Sequence, residues 1–185
     1  MPEELVVRYC APTLAGLKTG SLFSCPYASL EELKEDIREM NRRLGGRGLR
    51  VLPLQYREGR ALIYVYRPQK LDADLEVLDA AAILAGMDYP VGSSDRCVVK
   101  LARKLREEPE FPHEIGLFLG YPPEDVQGFI LHHAEDCKCV GCWKVYGDEE
   151  KARELFRRYR KCTSVYCSCL ERGFSMERLT VPARR

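Results

Sequence analysis

The sequence predicts an α+β protein, a single domain over residues 1–185 in which about six helices pack against a small antiparallel sheet. Three observations indicate this class. First, two β-favouring runs at 49–55 and 61–67 are joined around Glu58-Gly59, which is typical of a hairpin. Second, apolar residues recur at helical spacing in most other segments. Third, 185 residues with 45% hydrophobic content suffice for one core.

The first third of the chain is predicted to combine short elements with one longer helix. Leu5–Tyr9 has the β-branched content of a strand, and Pro12 suits the first turn of a brief helix that ends before Gly20. Ser29 and Glu32 have the spacing of a capping box, so a helix is expected to begin there. Its apolar face consists of Leu33, Ile37, Met40 and Leu44.

After the hairpin the periodicity is mainly helical. The sequence predicts helices that begin near Asp72, Ser93 and Pro123, with a short helical turn at 113–119. The longest helix is expected to run from Asp148 to Gly173. Two further short strands are predicted near 143–146 and 177–181, so the sheet would combine these with the hairpin and with the strand at 5–9.

Composition excludes several classes of protein. Lys+Arg number 29 and Asp+Glu number 28, so the chain lacks the positive field of a dedicated nucleic-acid-binding protein. The longest weakly polar run, around 80–87, is too short to span a bilayer, and the acidic start has no apolar signal core. We therefore expect a cytoplasmic protein without membrane contact. Nine cysteines, an odd number, are expected to be reduced thiols or metal ligands.

The densest cluster of possible metal ligands is Cys137, Cys139 and Cys142, three thiols within six residues. Zinc or iron–sulfur centres need four soft ligands, and the fourth could be Cys162, Cys167, Cys169, His132 or His133. The spacing departs from a standard zinc ribbon, because only Cys139 and Cys142 form a Cys-x-x-Cys pair. The alternative is a surface loop with incidental thiols, in which Cys162 is a small apolar core residue.

Two other segments carry candidate catalytic groups. Cys10 is predicted to lie where a strand leads into a helix, so that the helix dipole would favour its thiolate; the alternative is a buried cysteine at a strand end. His113 and Glu114 are expected to begin a short helix, where the histidine could act as a base, a ligand or a cap.

Basic residues mark two further surfaces. Lys144 and Tyr146 share one side of the predicted strand at 143–146 and could contact an anion or a cofactor; the alternative is an edge strand with a solvated lysine. The predicted helix over 149–172 carries a basic run that could attract an acidic protein partner, although it is also typical of a solvated helix face. The run contains Arg157, Arg158, Arg160 and Lys161.

Several stretches together resemble the bacterial family known as Domain of Unknown Function 3793. The resemblance rests on Cys-Ala-Pro-Thr-Leu-Ala-Gly-Leu-Lys at 10–18, on Pro-His-Glu-Ile-Gly-Leu-Phe-Leu-Gly-Tyr-Pro at 112–122 and on Trp-Lys-Val-Tyr-Gly at 143–147. It implies a soluble bacterial protein and no particular reaction. The segments include Cys10, Lys18, His113, Glu114, Lys144, Tyr146 and Cys162, whereas Cys137 and Cys139 fall outside the pattern.

These observations support three hypotheses about function. The first is a carrier or binding protein with a pocket formed by residues 9–18, 112–122 and 143–147. Its small anionic or metal-containing ligand would contact Cys10, Lys18, His113, Lys144 and Tyr146. The second is a thiol enzyme with Cys10 as nucleophile, His113 as base and Glu114 or Tyr146 orienting it. The third is a zinc-stabilised module for protein interaction.

Overall fold

The computed structural model describes residues 1–183 and confirms the α+β class. The helices of this part of the chain are α1 Glu3–Leu14, α2 Leu30–Leu44, α3 Pro68–Glu76, α4 Leu78–Gly86, α5 Ser94–Glu107, α6 Ile115–Phe118, α7 Pro123–Leu131, α8 Glu149–Glu171 and α9 Met176–Leu179. The strands are β1 Gly20–Pro26, β2 Arg50–Arg57, β3 Arg60–Tyr66, β4 Cys139–Val140 and β5 Lys144–Val145. They form a three-stranded sheet of order β1-β3-β2 and a separate two-stranded hairpin.

The chain is divided into two compact units. Unit 1 comprises residues 1–69 and the part of the chain from 161 onward, and unit 2 comprises residues 70–160. Within residues 1–183, none of the helices combines the length and the apolar character that crossing a bilayer requires.

The predicted hairpin is confirmed as β2 and β3. These strands pair antiparallel with Arg57 opposite Arg60, and the turn residues Glu58 and Gly59 have φ angles of 50° and 72°. Two successive positive φ angles are the requirement of a tight hairpin turn whose twist matches that of the strands. Glycine adopts this conformation without a Cβ clash, which explains its place at the turn.

The outer edge of β2 is covered by one side chain. The Asn41 amide donates from Nδ2 to the Val51 carbonyl at 2.8 Å, and the Val51 N–H donates to Asn41 Oδ1 at 2.8 Å. The side chain thus reproduces the hydrogen bonds of a neighbouring strand at this position. An unpaired strand edge favours association with other chains, and α2 removes part of that edge here.

The core of unit 1 lies between the three-stranded sheet and helices α1, α2 and α9. The predicted cap of α2 is confirmed, because Ser29 Oγ accepts a hydrogen bond from the Glu32 N–H at 3.3 Å. The predicted apolar face of α2 is buried in this core. The other buried members come from α1, the sheet and α9, and they include Val6, Val7, Cys10, Leu14, Phe23, Val51, Ile63, Val65, Met176 and Leu179.

Two predicted strands are wrong. Residues 5–9 lie inside helix α1, and residues 177–179 lie inside the short helix α9, with 180 and 181 directly after it. Glu3 and Glu4 occupy the first turn of α1, where carboxylates are favoured by the helix dipole. The valines of this segment reach the core from one helical face, so tertiary packing overrides their β propensity. In α9, Ser175 Oγ caps the helix by accepting from the Arg178 N–H.

Strand β1 was not predicted. It pairs antiparallel with the central strand β3, with Gly20 opposite Tyr66 and Pro26 opposite Arg60. The Gly20-Ser21 pair has the composition of a loop, and this composition hid the strand that follows it. Phe23 and Cys25 of β1 are buried in the core of unit 1.

The core of unit 2 near its hairpin is built around one tryptophan. The Trp143 ring stacks on Tyr121 with ring centroids 4.6 Å apart and meets Phe156 edge-on at 4.6 Å. Ala152, Val145 and Tyr159 complete this cluster. The predicted strand at 143–146 is therefore present as β5, and its first aromatic residue anchors the hairpin on α8.

Candidate ligand-binding site

Three of the predicted ligand residues lie around the C-terminal end of α7. The His113 ring is 4.9 Å from the Phe129 ring, centroid to centroid. The Tyr146 ring stacks on His132 at 5.6 Å, with 12° between the ring planes. Lys144 Nζ donates a hydrogen bond to the Ala134 carbonyl at 2.5 Å. The structure therefore brings His113, Lys144 and Tyr146 to one region of unit 2, whereas Cys10 and Lys18 belong to unit 1.

Asp125 holds the segment after β5 against α7. Its Oδ2 accepts from Trp143 Nε1 at 2.7 Å, and its Oδ1 accepts from the N–H groups of Tyr146 and Gly147, each at 2.7 Å. The carboxylate is 3% exposed, and these three donors satisfy it. Because all three donors come from the β5 segment, Asp125 fixes the position of the Tyr146 backbone.

The importance of Asp125 was missed from the sequence. A signal was present, since Asp125, Gly128, Phe129 and His132 follow the i, i+3, i+4, i+7 spacing of one helical face. A carboxylate on a helical face that also carries an aromatic ring is unusual unless buried hydrogen-bond donors satisfy the carboxylate. That spacing would have placed Asp125 beside the candidate site.

Tyr146 lies directly on the backbone of α7. A Cβ added at Gly128 would be 2.4 Å from Cγ of Tyr146, so any larger residue would displace the ring. The ring therefore packs between the glycine backbone and the imidazole of His132. Gly128 is required here because it lets the Tyr146 ring approach the backbone of α7 closely.

The hydroxyl of Tyr146 is buried and has no hydrogen-bond partner among residues 1–183. The pKa of the phenol is raised, chiefly by loss of hydration and further by the charges of Cys137, Asp136 and Asp125. The group therefore stays protonated and able to donate. A buried hydroxyl without an acceptor costs about 1–3 kcal/mol, so a group that accepts its hydrogen bond would recover stability.

The loop after α7 has a strained backbone. His133, Ala134 and Asp136 have φ angles of 47°, 67° and 55°, in the left-handed region that residues with a Cβ seldom occupy. Lys144 holds this loop through the Ala134 carbonyl. Such strain is concentrated in ligand clamps and active sites of proteins. Here it sets the path of the chain between His132 and the cysteine segment.

Aromatic and imidazole rings lie near the C-terminal end of α7, and we call this set the ring strip: Phe111, His113, Phe129, His132 and Tyr146. Phe111 is 49% exposed and lies 6.5 Å from His113, ring to ring. Phe129 and His132 are three residues apart at the end of α7, so they lie on the same side of the helix. The contact of Phe129 with His113 and that of His132 with Tyr146 are therefore on one helical face. Both histidines of the strip are exposed.

Glu114 does not accompany His113. The His113 side chain is exposed, whereas Glu114 is 3% exposed and accepts hydrogen bonds from the Tyr89 hydroxyl at 2.8 Å and from Lys104 Nζ at 2.5 Å. Burial and the neighbouring Glu114 raise the pKa of Tyr89. The carboxylate therefore belongs to a buried ion pair, and its contacts give no support to a role in orienting His113.

Cys10 lies in the interior of α1 and not at the beginning of a helix, so the predicted effect of the helix dipole does not apply. Its side chain is 0% exposed. Burial raises the pKa of the thiol to about 12, although Lys18 and a hydrogen bond with Ser21 act in the opposite direction. A protonated thiol in the core lacks the exposure and the negative charge of a nucleophile.

The predicted four-cysteine metal set receives no support from the geometry. In the described part of the chain, no three side chains of His, Cys, Asp or Glu converge to hold a metal ion. Cys162 belongs to unit 1, whereas Cys137, Cys139 and Cys142 belong to unit 2. Partial burial raises the pKa of the Cys162 thiol to about 11.

Two arginines of α8 form ion pairs within their own helix. Arg153 contacts Glu149 at 2.6 Å between Nη2 and Oε1, and Arg157 contacts Glu154. Pairs of this kind are typical of a solvated helix and add little stability. The acidic protein partner of this helix stays a prediction.

The fold and the site define an α+β protein with a ring-lined candidate binding surface in unit 2. A family model described as "Protein of unknown function (DUF3793)" matches residues 6–180, so the chain belongs to this family and the resemblance is confirmed. No curated protein and no solved structure matched the chain.

Proposed function

We propose that the protein binds a small planar carboxylate on the ring strip of unit 2. The observation that carries this proposal is the buried Tyr146 hydroxyl, which has no acceptor among residues 1–183. The ring of the same residue stacks on the exposed His132, which offers a stacking surface. A ligand carboxylate supplies the acceptor, and its planar ring supplies the stacking partner.

The direction of the β5 side chains supports a carboxylate. Lys144 and Tyr146 are two residues apart, so both point to the side of the strand that carries the 132–134 loop. Lys144 uses one donor for Ala134, and an ammonium group has three donors. The remaining two can bind an anionic oxygen near the phenol.

Binding explains the site better than catalysis does. The buried carboxylates nearby, Asp125 and Glu114, already accept two or more hydrogen bonds from the protein. Cys10, the nucleophile of the enzyme hypothesis, is a buried thiol with a pKa of about 12. Preformed rings with a single unsatisfied donor are typical of a binding surface, where a few polar groups orient the ligand.

The three histidines of the chain provide a direct test by nuclear magnetic resonance. His113 and His132 belong to the ring strip, and His133 is the matched internal reporter next to it. Benzoate and nicotinate are the probes, and cyclohexanecarboxylate is the non-planar control. We expect both planar probes to shift the imidazole signals of His113 and His132 more than that of His133.

The variant Tyr146→Phe removes only the hydroxyl. Loss of one hydrogen bond of about 1 kcal/mol predicts roughly five-fold weaker binding of benzoate, with the protein still folded. Equal shifts at all three histidines, or equal binding of the planar and non-planar acids, would show that the strip does not select the ligand. Absence of any shift at saturating probe concentrations contradicts the proposal.

A further inference from the structure

We propose that a groove along helix α5 binds an extended acidic segment of a partner protein. The groove has a volume of about 470 Å³ and is lined by residues of α5 and of the turn that precedes this helix. Its cationic lining consists of Arg96, Lys100 and Arg103. The groove lies in unit 2 and shares no lining residue with the ring strip, so this inference does not depend on the proposed carboxylate site.

The amphipathic pattern of α5 presents these three cations on one face. The buried residues of the helix are Cys97, Val98, Leu101 and Leu105. Arg96, Lys100 and Arg103 follow the i, i+4, i+7 spacing of the opposite face. At 1.5 Å per residue they form a row about 10 Å long. The sequence of the helix thus places three like charges along a single groove.

The charges of this row are not neutralised in the way that those of α8 are. Arg96 is exposed, and its guanidinium has no hydrogen-bond or ion-pair partner within residues 1–183. Arg103 meets the exposed Glu107 at 3.6 Å. Lys100 has no carboxylate partner in the described part of the chain. The row therefore keeps a positive charge that an acidic ligand can neutralise.

Contacts with the preceding turn hold the groove in shape. Lys100 Nζ donates to the Asp88 carbonyl at 2.6 Å and lies 5.2 Å from the centre of the buried Tyr89 ring. The Cys97 thiol donates to the Pro90 carbonyl at 3.6 Å, which joins the turn to α5 a second time. An ammonium group has three donors, so Lys100 can still bind an anionic oxygen. A preformed groove lowers the entropy lost on binding.

The length of the row fits carboxylates on an extended chain. Alternate side chains of such a chain point to the same side and are about 7 Å apart, so three of them span about 13 Å, within reach of the long basic side chains. Arginine can bind a carboxylate through two parallel hydrogen bonds. Val99 lines the groove within the row and is 67% exposed. A peptide can cover this valine, whereas an inorganic anion leaves it in water.

The charge of the surroundings favours a protein partner over a nucleic acid. Asp88 and Asp95 line the same groove, so phosphates that continue beyond the cationic row would meet negative charge. The whole chain has a formal net charge of +1 and lacks the field that attracts a polyanion from a distance. A short acidic segment needs only the local row.

Fluorescence anisotropy of labelled peptides tests the inference. The probe alternates three glutamates with threonines, and the matched control peptide has glutamine at the glutamate positions. We expect only the glutamate peptide to bind, with an affinity that falls as the salt concentration rises. A thymidine oligonucleotide with three phosphates and inorganic phosphate serve as competitors, and both should displace the peptide poorly.

Matched variants locate the groove. Arg96→Gln and Arg103→Gln, both at exposed positions, should each weaken peptide binding about three- to five-fold, as expected for loss of one exposed ion pair. Arg106→Gln, exposed on the same helix but outside the groove, is the control and should leave binding unchanged. Circular dichroism verifies that each variant is folded.

Four outcomes overturn the inference. These are equal weakening by Arg106→Gln, equal binding of the glutamine peptide, no binding of the glutamate peptide at millimolar concentration, and efficient displacement by either competitor. Displacement by the oligonucleotide would assign the groove to a nucleic acid, and displacement by phosphate would assign it to a small anion.

Discussion

The indole Nε1 of Trp143 donates a hydrogen bond to Oδ2 of the buried Asp125 carboxylate at 2.7 Å. This contact joins the aromatic core of unit 2 to helix α7, and the second carboxylate oxygen joins α7 to Tyr146 and Gly147. One side chain thus determines how the hairpin, its tryptophan and the ring strip are held together. Its removal should affect stability and the geometry of the candidate site.

Asp125→Ala should lower the free energy of unfolding by about 3 kcal/mol, because it leaves an indole N–H and two backbone N–H groups without their acceptor in a buried region. Urea unfolding followed by tryptophan fluorescence measures the change, and Trp143 is the single tryptophan of the chain. Gln127→Ala, at an exposed position on the same helix, is the control and should change stability by less than about 0.5 kcal/mol. Equal effects of the two substitutions would show that the Asp125 hydrogen bonds contribute no net stability.

Local signals in the sequence predicted the α+β class, the β2–β3 hairpin and the Ser29 cap. Each of these depends on residues close together in the chain, such as the Glu58-Gly59 turn. The strand predicted at 5–9 failed because its valines face the core from a helix, and propensity is weaker than tertiary packing. Strand β1 was missed because its register depends on β3, which lies about 40 residues later in the chain.

The candidate site divides in the same way. The periodicity of the sequence and the functional groups of the side chains indicate His113, Lys144 and Tyr146 as candidates. The structure places all three around α7. Asp125 is hard to recognise from the sequence because two of its three donors are backbone N–H groups, which no residue type reveals. The sequence predicts a reactive environment for Cys10 because it predicts that the helix begins near this residue. In the structure the helix begins at Glu3, so Cys10 lies in its interior. Burial determines the pKa of that thiol, and burial cannot be read from the sequence alone.

Cys10 should resist alkylation in the folded protein. The thiol is 0% exposed and its pKa is raised to about 12, so at neutral pH it is both inaccessible and protonated. Brief treatment with iodoacetamide, followed by peptide mass spectrometry, should label the exposed Cys142 and leave Cys10 unmodified until urea is added. Labelling of Cys10 at the rate of Cys142 in the native state would restore the thiol-enzyme hypothesis.

Arg67 should be essential for the stability of unit 1. Its buried guanidinium donates to the carbonyls of Thr13, Leu14 and Val181, each at 2.7 Å, and so closes the C-terminal end of α1. Arg67→Met keeps an apolar stem but removes the guanidinium from three carbonyls, of which those of Thr13 and Leu14 keep one backbone donor each, from Gly16 and Val181. The lost hydrogen bonds predict a decrease of about 1–3 kcal/mol in the free energy of unfolding by urea. Arg57→Met, on the exposed end of β2, is the matched control. A loss no larger than that of the control would mean that water replaces the guanidinium at no cost.

Glu177 should make the stability of unit 1 depend on acidity. Arg43 of α2 binds both Glu177 of α9 and Glu3 of α1, and its hydrogen bond lowers the pKa of Glu177 from 4.5 to about 2. A carboxylate whose folded-state pKa is depressed stabilises the fold above its unfolded pKa, and this stabilisation is lost as the pH falls from 4.5 toward 2.

Glu177→Gln should therefore be less stable than the wild type at neutral pH by about 1 kcal/mol, since both partners are partly exposed and solvent screens the pair. The difference should disappear near pH 2, where the wild-type carboxyl also becomes neutral. Urea unfolding across this range measures it, and Glu39→Gln, in an exposed pair with Arg42, should show little change at any pH. A constant difference between Glu177→Gln and the wild type down to pH 2 would mean that the ionised carboxylate is not its source, because a packing defect does not titrate.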